Sequence, residues 1–246
     1  MFLRTQELVK DFGKLRAVNR VSLDIRQGDV HAIIGPNGAG KSTYFNLITG
    51  YHAADEGRVL FKGQDITRLP SYKRCKLGIT RSFQITSIYP KLTAYESVLM
   101  ALLSHRKATL HFFTSARKYF QEDVWRILED VGLADQAHLL GDSISHGDKK
   151  RLELAVTLGT EPNMLLLDEP TCGMSPEETE STMVLIQKLA KERGLTILFT
   201  EHDMGVVFGM SKRISVLHQG TLIADGTPQE VRASEQVQQV YLGGGA

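Results

Sequence analysis

The chain has 246 residues, 42% hydrophobic and 23% charged, an ordinary composition for a globular protein. Its 29 basic and 28 acidic residues leave a net charge of +1, so there is no overall basic footprint for nucleic acid, although a local patch stays open. No apolar run approaches the roughly 20 residues that span a bilayer, and the N-terminus lacks a signal-peptide pattern. Cys75 and Cys172 are far apart and outside any metal-binding spacing, which argues against a disulfide framework or a zinc site.

The first third of the chain is predicted to contain short strands, tight turns and one helix. Strands are expected over residues 2–9, 18–25, 30–34, 57–61 and 78–83. The compact apolar run at 30–34 is typical of a buried central strand. A glycine-rich turn follows it, and then a predicted helix over residues 41–49 that should end at Gly50.

The turn after residue 34 has the sequence of a phosphate-binding loop. GPNGAGKS at residues 35–42 satisfies the pattern G-x-x-x-x-G-K-[ST]. Glycines let the backbone wrap around a polyphosphate, and the following helix directs its positive dipole end at the anion. Lys41 is expected to neutralise the β- and γ-phosphates and the Ser42 hydroxyl to bind Mg²⁺. The predicted nucleotide-binding residues here are Asn37, Gly38, Ala39, Gly40, Lys41, Ser42 and Thr43.

From residue 93 to about residue 159 the pattern changes to long helices. Apolar residues recur at helical spacing around Val98 and Leu102 and again around Val124 and Leu128. Strand patterns then resume at 164–167, 196–200 and 214–217, with helices expected between them, and at 221–224 after a turn at Gly220. A helical subdomain inserted in an α/β core explains this order better than a separate domain.

The predicted strand at 164–167 leads into two acids, Asp168 and Glu169. At the C-terminal end of its strand, Asp168 would face the crevice in which α/β sheets bind ligands, and would hold Mg²⁺ through water. Glu169 would face the γ-phosphate and polarise the attacking water. Both acids are expected to continue the extended strand, so that they point in opposite directions and take different roles.

Five motifs occur in the order found in ABC transporter nucleotide-binding domains, and the chain resembles that family over essentially its whole length. They are GPNGAGKST at 35–43, Gln84 after a strand, SHGD at 145–148, DEPT at 168–171 and EHD at 201–203. The resemblance implies an α/β fold, namely a P-loop NTPase core of the ABC type with an antiparallel β subdomain and an inserted helical subdomain. Residues 1–246 would form one nucleotide-binding domain, with its core at about 1–92 and 160–246 and its helical subdomain at about 93–159.

The resemblance implies ATP hydrolysis with ATP and Mg²⁺ as cofactors, and it assigns roles to single residues. Phe12 would stack on adenine, and His202 would hydrogen-bond the γ-phosphate. Gln84 would contact both Mg²⁺ and the attacking water. The implied catalytic set is Glu169, His202 and Gln84, and the implied metal-binding set is Ser42, Gln84 and Asp168.

Ser145 and Gly147 match two positions of the family's signature motif, which usually reads LSGGQ. The resemblance implies that they contact the γ-phosphate held by the opposite subunit. Within this motif the chain departs from the family at positions 144, 146 and 148, where it has Ile, His and Asp. It departs again at Ser175, where many relatives carry aspartate, so communication between the two sites is expected to differ in detail.

Several strings, such as FNLITG at 45–50 and CGMSPEET at 172–179, resemble the branched-chain amino acid importer branch. That branch implies three kinds of partner: a second ATPase subunit, transmembrane permease subunits and an external solute-binding protein. It implies no nucleic acid, and a peripheral position at the cytoplasmic face of the cell membrane. The cargo would be a branched-chain amino acid or a related amide.

Three alternatives stay open beside the importer. They are the ATPase of an exporter or lipid-extraction system, a non-transport ABC ATPase, and a binding module with a dead site, which the presence of Glu169 and His202 disfavours. Residues 85–96 also allow two readings, because Ile85, Ile88, Tyr89 and Leu92 give them unusual apolar surface. They either pack the helical subdomain onto the core or form a groove for a short helix of a transmembrane subunit.

Overall fold

The computed structural model describes residues 1–82, 88–106 and 120–242, without the side chains of the last two. Two β-sheets organise these residues. The first has four antiparallel strands in the order β2-β1-β4-β5. Its strands are β1 (Leu3–Phe12), β2 (Leu15–Ile25), β4 (Glu56–Phe61) and β5 (Gln64–Asp65).

The second sheet has six strands in the order β10-β9-β3-β8-β7-β6. All its pairs are parallel except the pair of β9 with β10. The three central strands are buried at every residue, which explains their continuous apolar sequences. The strands are β3 (Val30–Ile34), β6 (Ile79–Arg81), β7 (Met164–Asp168), β8 (Thr196–Thr200), β9 (Arg213–His218) and β10 (Thr221–Gly226).

Two helices of the core follow strands of this sheet. Helix α1 (Lys41–Thr49) follows β3 and ends at Gly50, as the sequence predicts. Helix α6 (Pro176–Glu192) follows β7 and begins with a capping box in which Ser175 and Glu178 bond to each other's backbone N–H groups. Ser175, where the family often has aspartate, is therefore the N-cap of a helix.

Between residues 93 and 159 the described elements are helical. They are α3 (Ala94–His105), α4 (Gln121–Asp130), a 3₁₀ turn (Ala134–Gln136) and α5 (His146–Leu158). Val98 and Leu102 of α3 and Val124 and Leu128 of α4 are buried, which confirms the helical periodicity. The fold class is confirmed, whereas the subdomain boundaries stay a prediction.

Several elements differ from the sequence-based expectation. Strand β1 runs three residues beyond the predicted end, and α5 begins at His146 because Ser145 accepts a hydrogen bond from Asp148 N. Strand β6 is shorter than the predicted 78–83, and residue 83 lies outside the described residues. The sequence analysis did not predict β5 or the helices α2 (Ser71–Lys76), α8 (Pro228–Ala233) and α9 (Glu235–Leu242). Helix α7 (Met204–Met210) lies between β8 and β9, where a helix is expected.

Candidate functional site: a phosphate loop facing two catalytic candidates

The phosphate loop joins β3 to α1 in a close-packed turn. A Cβ atom at Gly35 would lie 2.2 Å from the Leu217 carbonyl oxygen, and one at Gly40 would lie 2.3 Å from that of Ala17. Gly40 also has φ of 99°, a conformation that side-chain-bearing residues rarely adopt. Because Gly40 has no side chain with which to cap α1, the first N–H groups of the helix are available to an anion.

Lys41 points back over the loop that carries it. Its Nζ donates hydrogen bonds to the carbonyl oxygens of Gly35 at 2.6 Å and Pro36 at 3.2 Å. Burial lowers the pKa of Lys41, while the charges of Glu169 and Asp168 act in the opposite direction. The ammonium group is thus held close to both acids without forming an ion pair with either, and is placed to meet phosphate oxygens.

The turn at Gln219 and Gly220 is hydrogen-bonded to the phosphate loop. Gly220 N donates to the Ala39 carbonyl at 3.0 Å, and the Gly220 carbonyl accepts from Asn19 N at 2.8 Å. This turn therefore ties the antiparallel sheet to the phosphate loop. Gln219 itself has φ of 47°, which is uncommon for a residue other than glycine.

A cavity of about 550 Å³ opens in front of the loop. It contains every nucleotide-binding residue predicted from the loop, together with Phe12, Glu169 and His202. It also brings in four residues that the sequence analysis did not single out. Its lining is Phe12, Leu15, Arg16, Ala17, Asn37, Gly38, Ala39, Gly40, Lys41, Ser42, Thr43, Glu169, His202 and Gln219.

The two acids after β7 are separated by backbone conformation. Asp168 is the last residue of the strand and pairs with Thr200 of β8, whose Oγ1 donates to Asp168 Oδ1 at 2.7 Å. Glu169 has left the strand, with φ of 47°, and its N–H donates to the Thr200 carbonyl at 3.0 Å. The expectation that both acids continue one extended strand is therefore wrong. A left-handed residue that lines a ligand pocket is a typical place for backbone strain.

Glu169 and His202 approach each other across the cavity. His202 Nε2 lies 3.0 Å from Glu169 Oε1, with both side chains partly exposed. His202 stands two residues after β8, and β8 pairs with β7, the strand that leads to Glu169.

Buried Glu201 fixes the loops that bear this pair. Its Oε1 accepts from Thr171 N at 2.8 Å and from Thr171 Oγ1 at 2.6 Å, and its Oε2 accepts from His202 N at 3.2 Å. One carboxylate thus connects the turn after Glu169 to the backbone of His202. The sequence analysis quoted Glu201 within the EHD motif but gave it no role.

Phe12 is the last residue of β1 and lines the cavity from the β1–β2 hairpin. Its ring is 43% exposed and contacts the His52 ring edge-on at 5.3 Å between centroids. A half-exposed aromatic face beside a cavity is a suitable platform for a base.

Ser145 and Gly147 are not among the residues that line this cavity. Ser145 caps α5, and a Cβ atom at Gly147 would lie 2.5 Å from Glu178 Oε1 of the α6 capping box. The signature segment is therefore packed against α6, the helix that follows β7. Gln84 lies outside the described residues, so its predicted catalytic and metal-binding roles stay predictions.

Within residues 1–82, 88–106 and 120–242, no helix is both long and apolar enough to cross a membrane. The same residues contain no group of three or more His, Cys, Asp or Glu side chains placed to hold a metal ion. Two oxygen donors are nevertheless available, because Ser42 lines the cavity and Asp168 directly precedes Glu169, which also lines it. A hydroxyl and a carboxylate are ligands that suit Mg²⁺, which usually takes its remaining ligands from phosphates and water.

Comparison with known families and curated proteins places these features in context. The family model described as ABC transporter matches residues 18–172, and that of the branched-chain amino acid ATP-binding cassette transporter matches residues 221–246. The chain is 37% identical to the high-affinity branched-chain amino acid transport ATP-binding protein BraF of Pseudomonas aeruginosa, over 98% of this chain and 97% of that protein. It has the same identity and coverage with the corresponding protein LivG of Escherichia coli K12.

Solved structures of ATP-binding cassettes superpose on the chain over nearly its whole length. A nucleotide-free ATP-binding cassette from an ABC transporter superposes with a TM-score of 0.85 and 31% identity, covering 98% of both chains. An ADP-bound conformation of a cassette has a TM-score of 0.85 and 32% identity at the same coverage. A dimeric cassette in a post-hydrolysis state with ADP and Pi has a TM-score of 0.79 and 26% identity, covering 92% of this chain and 99% of that one.

Proposed function

Because the chain belongs to the ABC transporter family as an ATP-binding, ATP-hydrolysing subunit, we propose that it powers the import of branched-chain amino acids or a related amide. The observation that carries the enzymatic part is the cavity in which Glu169 and His202 face the phosphate loop. The cargo is inferred from curated relatives with 37% identity and from the branched-chain model matching residues 221–246. That C-terminal match also favours the importer over the exporter and the non-transport ATPase.

In this proposal ATP lies along the cavity with its adenine on Phe12 and its phosphates in the loop. Lys41 exchanges its bonds to the Gly35 and Pro36 carbonyls for phosphate oxygens, which suits an ammonium with three donors. The N–H groups at the start of α1 bind the same anion, assisted by the helix dipole. Ser42 and Asp168 would hold Mg²⁺, directly or through water, and the bound ion would neutralise charge on the phosphates.

Hydrolysis then depends on the two side chains opposite the loop. Glu169 orients and deprotonates the attacking water as general base. His202 Nε2 lies 3.0 Å from Glu169 Oε1, and it would exchange this contact for a hydrogen bond to the γ-phosphate when ATP is bound. Gln84 would complete the catalytic set by contacting Mg²⁺ and the attacking water.

Each active site is proposed to need a second ATPase subunit, identical or paralogous. Ser145 and Gly147 stand at the start of α5 but outside the cavity, which leaves them for the nucleotide of the opposite subunit. ATP should therefore promote dimers that hydrolysis dissolves. Size-exclusion chromatography of Glu169→Gln with Mg-ATP, compared with the same protein without nucleotide, tests this. A monomer with Mg-ATP bound at high protein concentration contradicts it.

We propose further that the subunit sits on the cytoplasmic face of the membrane, bound to permease subunits that work with an external solute-binding protein. Tyr89 is 63% exposed, and Leu139 and Leu140 are also exposed. Gly141, which follows Leu140, donates its N–H to the Leu92 carbonyl, and this bond brings the two leucines close to the segment that carries Tyr89. Ile88 instead packs against the core, and Ile85 lies outside the described residues. The exposed trio Tyr89, Leu139 and Leu140 is the proposed permease contact.

Cells that express the chain with its permease test the whole proposal. Leucine uptake should require the intact chain and disappear with Glu169→Gln. Tyr89→Asp should keep ATP binding but lose co-purification of the permease from solubilised membranes, whereas Tyr51→Asp, another exposed tyrosine, should keep both. Normal uptake and normal co-purification with Tyr89→Asp would place the docking surface elsewhere.

A further inference from the structure

Asp168 carries its carboxylate in a nearly closed environment. Its side chain is 2% exposed, so the charge needs compensation inside the protein. Thr200 Oγ1 donates to Oδ1 at 2.7 Å, and the Arg81 guanidinium forms an ion pair with Oδ2. In the part of the chain that the structure describes, no other basic side chain forms an ion pair with this carboxylate.

Arg81 also contacts α1. A second terminal nitrogen of its guanidinium donates to Asn46 Oδ1 at 2.5 Å, and the guanidinium carbon lies 5.7 Å from the centroid of the Phe45 ring. Asn46 is four residues after Ser42, so the two share one face of the helix, one turn apart. A single side chain on β6 therefore connects the helix that bears Ser42 to the strand that bears Asp168.

Lys41 does not replace this connection. Its ammonium is engaged with the carbonyl oxygens of Gly35 and Pro36 and is needed for phosphates. The Arg81 side chain is 17% exposed and is absent from the cavity lining. Its planar fork can bond two partners at fixed angles, which the single ammonium of a lysine cannot reproduce.

We propose that Arg81 is a positioning residue for magnesium, which fixes the Asp168 carboxylate relative to α1 and the Ser42 hydroxyl. The proposal rests on the Mg-ATP function proposed above. It differs from a purely structural ion pair, which would contribute to folding alone. Outer partners of metal ligands commonly change metal affinity by about 10- to 100-fold when they are replaced.

The test compares nucleotide binding with and without the metal. Binding of the fluorescent analogue mant-ATP to the full chain is titrated in excess Mg²⁺ and again in EDTA. Arg81→Lys keeps the positive charge but loses the fork. Its affinity in EDTA should stay within about twofold of wild type, because the phosphate loop is intact, while its Mg²⁺-dependent gain in affinity should fall about tenfold. Arg193→Lys is the matched control, since Arg193 forms a similar part-buried ion pair with Asp130 outside the cavity lining.

The outcomes separate the two proposals. If wild type gains no affinity from Mg²⁺, the proposed Mg-ATP function fails and Arg81 has no metal to position. If wild type gains affinity and Arg81→Lys keeps the full gain while unfolding at a lower temperature, Arg81 is only a structural ion pair and the inference is wrong. If Arg81→Lys does not fold, Asn46→Ala is measured instead, because it removes the bond between Arg81 and α1 and leaves the ion pair with Asp168 intact. A gain reduced by at least about threefold in that variant supports the proposal, and an unchanged gain overturns it.

Discussion

Two groups of residues that line the cavity are held differently. Lys41, Glu169 and His202 are fixed by buried strands and by backbone hydrogen bonds, whereas Phe12 and Leu15 stand 43% and 66% exposed on a hairpin. We call these the phosphate end and the base end. Each polar group at the phosphate end has a defined partner in the described structure, whereas the base end offers an open aromatic face. Substitutions at the phosphate end should therefore impair chemistry, and those at the base end should weaken binding alone.

The largest expected effect is a loss of stability at low pH, caused by a buried histidine on the strand that leads into the phosphate loop. His31 of β3 is fully buried, with Nε2 2.7 Å from Ser215 Oγ and near the ion pair of Asp225 with Arg213. Burial lowers the pKa of His31 to about 4 from its usual 6.5, opposed by Asp225 and reinforced by Arg213. As the pH falls below 6.5, His31 therefore binds a proton in the unfolded chain, whereas in the folded chain it binds one only near pH 4. The free energy of unfolding should fall by about 3 kcal/mol over this window.

Urea unfolding at several pH values measures this loss. His31→Gln removes the titrating group. The slope of the free energy of unfolding against pH, between pH 6.5 and pH 4, should then decrease by the equivalent of about one bound proton. Substitution of the exposed His138 by Gln is the control and should leave the slope unchanged. An equal slope in wild type and His31→Gln contradicts the assignment.

At the phosphate end itself, His202→Ala should lower turnover about 100-fold while ATP affinity changes less than threefold. The reason is that the imidazole contacts Glu169 and is placed toward the phosphates, whereas the loop that binds ATP is untouched. Steady-state ATPase kinetics with separate kcat and KM check this. A variant that loses affinity and keeps kcat would make His202 a binding residue.

Glu201→Gln should have a smaller, mixed effect. Replacing one acceptor oxygen by NH₂ removes a bond to Thr171 or His202 and should lower the free energy of unfolding by about 1–3 kcal/mol. Turnover should fall by about tenfold because the loops bearing Glu169 and His202 lose their shared anchor. Glu230→Gln, which weakens a capping box near the C-terminus, should reduce stability without reducing turnover. Normal turnover in a destabilised Glu201→Gln would restrict Glu201 to folding.

The smallest effect belongs to the base end. Phe12→Ala should weaken ATP binding about fivefold, in line with roughly 1 kcal/mol for stacking of a base on an exposed aromatic ring. Turnover at saturating ATP should stay within about twofold of wild type. Tyr51→Ala, an exposed aromatic outside the cavity lining, is the control for binding. If Phe12→Ala reduces kcat instead, the two ends are not independent.

The sequence predicted those features that depend on neighbours along the chain. The apolar run of β3, the glycine-rich loop and the start of α1 appear where expected because each follows from local residue types. The acid at the end of β7 was found for the same reason. The fold class followed from motif order, and its agreement with the two sheets shows how strongly five motifs in register constrain a topology.

Features that join distant segments were not predicted. Arg81 meets Asp168 across 87 positions and Glu201 meets Thr171 across 30, so no local pattern marks either pair. The left-handed turn at Glu169 was missed because the strand pattern of β7 gives no sign of where the backbone leaves the extended conformation. The Gln219 turn was predicted at Gly220, but its bond to Ala39 appears only once β9 lies beside β3.

The central claim is that Glu169 drives hydrolysis while the phosphate loop binds Mg-ATP without it. Measuring Mg-ATP affinity and single-turnover hydrolysis for Glu169→Gln on the same preparation tests this most directly. The variant should bind Mg-ATP within about threefold of wild type and hydrolyse it at least about 100-fold more slowly, because the general base is lost and the loop remains. Hydrolysis at a near-normal rate would contradict the account, and so would loss of Mg-ATP binding in a folded variant.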